Sequence, residues 1–280
     1  MAEGTLVAAA VFSLASGSLY TFVGFKVLGR PTSPDARLAA RLFSIWWFGL
    51  AAATLMGGVT NLTGTLATPS VGLFQAYTFV VLLTICVALW GLLYYLLYLF
   101  TGRKWLIWPL SAFYLAYFAW LSWLILGAGA TGVEVGRWSV TLRYAQPLQG
   151  PEITTALALL VFPQILGALA YFTLYFKLTD RTLRFRVAVV SWSIVLWFMS
   201  SFLANIAGLT QSDAWQVASR AIGFSAALAI LIAYHPPGWM RRRFRIAGVG
   251  EAAPPLPGSA PSPPPPPRGL PTGAVRAPTC

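Results

Sequence analysis

The sequence predicts an all-α integral membrane protein with seven transmembrane helices, and three observations support that fold class. First, 58% of the residues are hydrophobic and 9% are charged, with a mean hydropathy of +0.70, whereas soluble domains contain about 25% charged residues. Second, no charged residue occurs between Arg41 and Arg103, so this run must contact lipid or other helices. Third, seven stretches are long enough to cross a bilayer.

A helix needs about 20 apolar residues to cross the ~30 Å hydrocarbon core of a bilayer. The stretches that qualify are Gly4–Val27, Leu42–Leu66, Val71–Thr101, Trp105–Gly129, Ile153–Phe176, Val187–Leu209 and Asp213–Tyr234. They must be helical, because an open strand edge leaves backbone groups unpaired in lipid and barrel strands alternate in polarity. We therefore expect residues 1–245 to form one transmembrane domain.

The basic residues occupy alternate loops, which predicts the orientation of the chain. One set of loops holds Lys26, Arg30, Arg37, Arg41, Arg103, Lys104, Lys177, Arg181, Arg184, Arg186, Arg241, Arg242, Arg243 and Arg245. The opposite set holds only Arg137 and Arg143, beside Glu134, Glu152 and Asp213. Because basic loops stay in the cytoplasm, we expect an external N-terminus, a cytoplasmic C-terminus and a multi-pass protein of the cell membrane.

Two segments outside the spans have patterns of their own. Val133–Tyr144 alternates in polarity around Gly136, which predicts a small external β-hairpin. Residues 246–280 are rich in proline and lack aromatic residues, which predicts a disordered cytoplasmic tail. A proline-rich ligand for a partner domain is the alternative interpretation of that tail.

An internal repeat is visible at a spacing of 150 residues. The residues that recur are Val11, Phe12, Gly17, Leu19, Phe22, Trp47, Phe48, Gly58 and Thr60, matched by Val161, Phe162, Gly167, Leu169, Phe172, Trp197, Phe198, Gly208 and Thr210. The match makes the first two spans resemble the fifth and sixth in the same orientation. It predicts a three-plus-one-plus-three arrangement with the fourth span as the linker.

The composition argues against catalysis, metal binding and pumping. His235 is the only histidine, and the two cysteines, Cys86 and Cys280, form no ligand cluster, so we expect no catalytic residues, no metal and no enzyme activity. No acidic residue lies inside a span, whereas ion-coupled transport usually needs one at depth. The net charge of +12 follows from the basic loops, so a nucleic-acid partner is not expected.

Arg220 is the charged residue that lies within an apolar span, which makes it a candidate ligand-binding residue. Gln216 lies one helical turn earlier on the same face. The two side chains are expected either to line a cavity and hold a ligand or an anion, or to serve a structural purpose. In the structural alternative Arg220, which lies about 10 Å below Asp213 along the helix, extends outward and pairs with Asp213 or Glu152.

Aromatic and polar residues in other spans complete the candidate ligand-binding set. Trp192 and Trp197 of the sixth span are candidates to wall a pocket for a flat apolar ligand, with packing against lipid or helices as the alternative. Gln75, Thr78 and Asn205 are further polar candidates.

Three strings resemble the microbial rhodopsins. They are GSLYTFVGFKVLGRPTSPDAR (Gly17–Arg37), LRFRVAVVSW (Leu183–Trp192) and QVASRAIGF (Gln216–Phe224). The first resembles that family's first helix and loop, and the second its sixth helix, where a tryptophan packs on retinal. In the third, Gln216 matches the position of the acidic counter-ion and Arg220 that of the lysine that binds retinal.

The departures from that family decide what the resemblance implies. A guanidinium cannot form the Schiff base that a lysine amine forms. Gln75, Thr78 and Leu89 lie near the positions of an arginine and two proton-carrying carboxylates. The resemblance therefore implies a sensor, or a scaffold for a ligand or partner, that pumps nothing and has no covalent cofactor. A non-covalent carotenoid or retinoid is the apolar ligand it would hold.

A second resemblance is to PQ-loop and SWEET-type carriers. Pro163 and Gln164 in VFPQILGALAYF match half of that signature, while Ser13 and Leu14 stand at the matching position of the first half. This resemblance implies a uniporter for a small neutral solute, with a polar path that includes Asn205. A third interpretation is an accessory subunit of a larger membrane complex, with a membrane protein or a second copy as its partner besides the lipid bilayer.

Overall fold

A computed structural model describes residues 2–29, 34–66, 70–146, 150–210 and 213–244. The helices are α1 (Ala2–Leu28), α2 (Pro34–Leu66), α3 (Val71–Thr101), α4 (Ile107–Ala128), α5 (Gly150–Lys177), α6 (Arg181–Thr210), α7 (Asp213–Tyr234) and α8 (Gly238–Phe244). Within these ranges, α1 to α7 are long and apolar enough to cross a membrane, α4 together with the short 3-10 turn that precedes it. The predicted all-α class and the count of seven candidate spans are therefore confirmed. The proline-rich tail at 246–280 lies outside the described residues.

Residue types at the ends of the helices explain where the helices stop and start. α3 ends at Gly102, whose φ of 66° is left-handed and whose amide donates to the Tyr98 carbonyl. α4 ends at Gly129, where φ is 63°, a region that glycine enters without steric cost. α6 begins after Asp180, whose carboxylate accepts a 2.7 Å hydrogen bond from the amide of Leu183 and so caps the first turn.

Six of the seven helices form a closed ring. Going round the ring, α1 packs on α2, α2 on α3, α3 on α5, α5 on α6, α6 on α7, and α7 returns to α1. α4 lies outside this ring and packs mainly against α3. One tie to α5 is the 2.9 Å hydrogen bond from the Tyr117 hydroxyl to the Ala156 carbonyl. The interior is therefore enclosed without α4.

The centre of the ring is filled by aromatic side chains. Trp46 and Trp47 of α2 are fully buried. Trp47 stacks on Tyr20 of α1 at 5.8 Å, and Trp46 meets Trp197 of α6 edge-on at 5.9 Å. Such ring pairs add to the burial of large apolar surfaces. They tie α1, α2 and α6 together at the middle of the bundle.

Matched glycines of the predicted repeat have different neighbours. A Cβ atom at Gly17 would lie 2.6 Å from Leu55 of α2, whereas a Cβ atom at Gly167 would lie 3.2 Å from Leu92 of α3. The first glycine thus faces the next helix in the chain, and its counterpart in α5 faces α3. The internal repeat stays a prediction.

The predicted hairpin is confirmed. β1 (Ala130–Val135) and β2 (Val140–Tyr144) pair antiparallel, and the turn closes with a 3.0 Å hydrogen bond from the Gly136 amide to the Ser139 carbonyl. Val140 contacts Gly64 near the end of α2. The hairpin therefore covers one end of the ring. Burial there raises the pKa of the Tyr144 phenol above its ordinary value.

Candidate functional site

A polar cavity of about 210 Å³ lies between α1, α2, α6 and α7. The residues that line it are Phe12, Ser13, Ser16, Tyr20, Thr54, Trp197, Ser200, Ser201, Ala204, Ser219, Arg220, Gly223 and Phe224. Six of these thirteen are serine or threonine, so hydroxyl groups converge here inside a bundle that is otherwise apolar. We call this space the Arg220 cavity.

Arg220 supplies the positive charge of the cavity. Its Nη2 atom donates a 2.6 Å hydrogen bond to the Trp138 carbonyl in the turn of the hairpin. Its Nε atom is buried and has no hydrogen-bond partner among the described residues. Among the described residues, the hydrogen-bond partner of this guanidinium is thus a neutral backbone carbonyl. The side chain of Asp213, one of the two predicted acidic partners, lies outside the described side chains.

The cavity wall contains no carboxylate among its described residues. A cation inside the apolar part of a membrane protein is costly unless it is paired or hydrated. A neutral carbonyl satisfies one N–H group of Arg220 and leaves its full positive charge in place. The cavity is therefore positive and suited to an anion.

Four of the hydroxyl groups in the wall have already committed their protons. Each of these hydroxyl groups donates to a backbone carbonyl. The bonds run from Thr54 to Leu50 at 2.6 Å, from Ser200 to Ser219 at 2.7 Å, from Ser201 to Trp197 at 3.1 Å and from Ser219 to Gln216 at 2.9 Å. A hydroxyl has one proton to donate and two lone pairs that accept. The oxygen atoms of Thr54, Ser200 and Ser219 therefore present acceptors to a ligand that enters the cavity.

Aromatic rings close the apolar sides of the cavity. The Tyr20 hydroxyl lies 3.5 Å from the Gly223 carbonyl, a distance at the limit of a hydrogen bond. Phe12 and Phe224 meet edge-on at 5.9 Å across α1 and α7. Together with Trp197 these rings form the apolar part of the wall of a cavity that is partly open. Charge and hydrogen bonds count for more in such surroundings than in water.

The structure brings together two of the predicted ligand-binding residues, Arg220 and Trp197, in one cavity. Gln216 is half-buried one turn away from Arg220, and its backbone carbonyl accepts from Ser219. Gln216 is not among the residues that line the cavity.

The polar candidates in the other spans do not join this cavity as far as the structure describes them. Gln75 and Thr78 belong to α3, which contributes no residue to its wall. The Thr78 hydroxyl donates to Phe74 of its own helix at 3.0 Å. The side chain of Asn205 lies outside the described side chains.

Trp192 lies elsewhere. It is 64% exposed and lines an apolar groove of about 390 Å³ on the outer surface of α5 and α6, beside Phe172 and Tyr175. Trp192 and Trp197 therefore face different spaces. The outer groove, and not the Arg220 cavity, has the apolar wall that was expected for a flat ligand.

Sequence reasoning missed the serines of α1. Ser13, Ser16 and Tyr20 recur at intervals of three and four residues, which places their polar groups on one face of a helix. Such a polar stripe in a lipid-exposed helix was a usable signal. Ser200 and Ser219 carried no comparable pattern.

Comparison with known proteins leaves the family of the chain open. No model of a known protein family matches it, and no curated protein is similar to it in sequence.

Proposed function

We propose that this chain is a rhodopsin-like seven-helix membrane protein without a Schiff-base lysine, which senses or holds a small anionic ligand in the Arg220 cavity and pumps nothing. The observation that carries the proposal is the positive charge of Arg220 in a hydroxyl-lined cavity whose described wall contains no carboxylate. An anion that entered would neutralise that charge. It would also form a charge-assisted hydrogen bond with the guanidinium, which offsets the free-energy cost of burying that charge.

The proposed orientation places the cavity towards the outside of the cell. Arg241, Arg242 and Arg243 lie on α8, at the end of the chain that follows α7. The hairpin and the Trp138 carbonyl lie at the opposite end of α7. Because basic segments stay in the cytoplasm, a ligand would approach from the hairpin side.

A uniporter for neutral solutes is the second candidate, and its support is the set of hydroxyl groups in the cavity. Gln164, the residue that suggested it, is buried in α5, where its Nε2 atom donates to the Leu160 carbonyl at 3.0 Å. It does not line the cavity. The charge of Arg220 also favours an anion over a neutral solute.

Two further proposals concern the outer surface. The groove beside Trp192 suits a non-covalent carotenoid or retinoid, because its described wall is almost entirely apolar. The outer face of α4 suits an accessory subunit, because α4 packs mainly against α3 and presents exposed Trp123 and Leu126 to the surroundings. Absorbance of the gently purified protein separates the pigment-binding proposal from the others.

The test is ligand-dependent thermal stability of the purified protein in lipid nanodiscs. A monocarboxylate at 100 times its dissociation constant should stabilise the protein by about 2.7 kcal/mol. The same anion should leave Arg220→Met unchanged, because that variant has lost the positive charge. Arg143→Gln, a hairpin variant that removes an exposed arginine 69% accessible to solvent, is the matched control and should respond like the natural sequence. An equal response of Arg220→Met would overturn the proposal.

A further inference from the structure

We infer that the Arg220 cavity selects small hydroxycarboxylates over carboxylates that lack a hydroxyl group. The inference rests on the proposed function and adds the chemical class of the ligand. It is carried by three properties of the described wall: its charge, the direction of its hydrogen bonds and its size.

The charge of the wall selects a monoanion. Arg220 contributes one positive charge, and the described lining contains no second charged residue. A monocarboxylate brings the net charge of the occupied cavity to zero. An amino acid, which is a zwitterion, would leave one positive charge uncompensated, and a dicarboxylate would leave one negative charge. Uncompensated charge is costly in a low-dielectric interior.

The hydrogen bonds of the wall select a ligand that donates. Thr54, Ser200 and Ser219 give their protons to backbone carbonyls, so their oxygen atoms can only accept from a ligand. A plain carboxylate or a halide offers acceptors alone and cannot satisfy them. A hydroxycarboxylate supplies both groups, with the carboxylate for the guanidinium and the hydroxyl for the acceptors.

The size of the cavity suits a small organic anion. A volume of about 210 Å³ equals the space of about seven water molecules at ~30 Å³ each. Tyr20, Trp197 and Phe224 are part of its wall, and rings of that size move little in a packed bundle. Lactate fits this volume.

The experiment compares three probes of nearly equal shape by titration calorimetry in nanodiscs: lactate, propionate and lactamide. Lactate should bind about tenfold more tightly than propionate, because the difference is one neutral hydrogen bond. Lactamide keeps the hydroxyl and loses the charge, so it should show no binding. Tighter binding of lactamide than of propionate would overturn the charge argument.

Thr54→Val tests the direction of the hydrogen bonds, because valine keeps the shape of threonine and removes its oxygen. It should reduce the preference for lactate over propionate and leave the affinity for propionate unchanged. Thr78→Val is the matched control: Thr78 makes the same kind of hydrogen bond to its own helix at 3.0 Å but lies in α3, away from the cavity. It should preserve the tenfold preference.

The outcomes separate the two proposals. Equal binding of lactate and propionate to the natural sequence overturns the selection of hydroxycarboxylates and leaves anion binding at Arg220 intact. Failure of both anions to bind overturns the proposed function as well. A tenfold preference that survives in Thr54→Val overturns the assignment of Thr54 as an acceptor for the ligand hydroxyl.

Discussion

Gly49 of α2 lies directly against Ala88 of α3. A Cβ atom at position 49 would come within 2.6 Å of the Ala88 Cβ atom and within 2.9 Å of the Thr84 carbonyl oxygen. The groups it would meet belong to the backbone and to the first carbon of a side chain, so they cannot rotate away. The two helices can approach this closely only because residue 49 has no side chain.

Gly49→Val should therefore lower the free energy of unfolding by about 1–3 kcal/mol, the usual cost of overpacking. Unfolding in mixed micelles, followed by circular dichroism, measures the difference. The control is Gly57→Val in the same helix, where an added Cβ atom meets nothing within 4 Å. If the two variants lose the same stability, the helix contact is not the cause.

The two tryptophans Trp46 and Trp192 should differ sharply in their effect on stability. Trp46 is fully buried, whereas Trp192 is 64% exposed. Trp46→Ala should lose about 3–5 kcal/mol through the cavity it leaves. Trp192→Ala should lose less than about 1 kcal/mol. Thermal unfolding in one detergent compares them, and similar losses would show that the outer groove is packed and not open.

Arg220→Met should loosen the hairpin, because it removes the hydrogen bond to the Trp138 carbonyl. Hydrogen exchange followed by mass spectrometry should show faster exchange in residues 130–144 and unchanged exchange in α3. Glu134→Gln is the control on the same hairpin, because it breaks an exposed ion pair with Arg143 at 3.6 Å. Exposed pairs of this kind contribute about 0–1 kcal/mol. Equal acceleration in both variants would contradict a specific tie between Arg220 and the hairpin.

The predicted orientation can be tested with single cysteines. In a background of Cys86→Ser and Cys280→Ser, Thr131→Cys on the hairpin should react with a membrane-impermeant maleimide in intact cells. Thr179→Cys, between α5 and α6, should react only after permeabilisation. Both residues are exposed in the structure. The opposite labelling pattern would invert the proposed orientation and place the Arg220 cavity towards the cytoplasm.

The seven spans were predictable because lipid demands long apolar helices wherever the chain crosses it. The hairpin was predictable because polar and apolar residues alternate along the sequence on both sides of Gly136. The two strands β1 and β2 pair on either side of that glycine. The rotation of each helix was not predictable. Lipid and bundle interior are equally apolar, so hydrophobicity does not tell which face turns inward. Trp192 and Trp197 belong to one helix, and the first faces outward while the second faces the Arg220 cavity.

The Arg220 cavity was not predictable from the sequence, because its lining depends on how each helix is rotated. Arg220 was visible as a charge in an apolar segment, but its hydroxyl neighbours come from α1, α2 and α6, far apart in the chain. Serine and threonine are common in membrane helices, where they bond to their own backbone. Their convergence on one space appears only when the helices are packed. The Trp138 carbonyl lies 82 residues from Arg220 and gave no signal at all.

The position of α4 divides the molecule into two parts that can change independently. The four helices around the Arg220 cavity meet one another without it. Substitutions on the outer face of α4 would leave the shape of the cavity as it is. New neighbours in the bilayer could therefore be acquired through α4 while the lining of the Arg220 cavity stays the same.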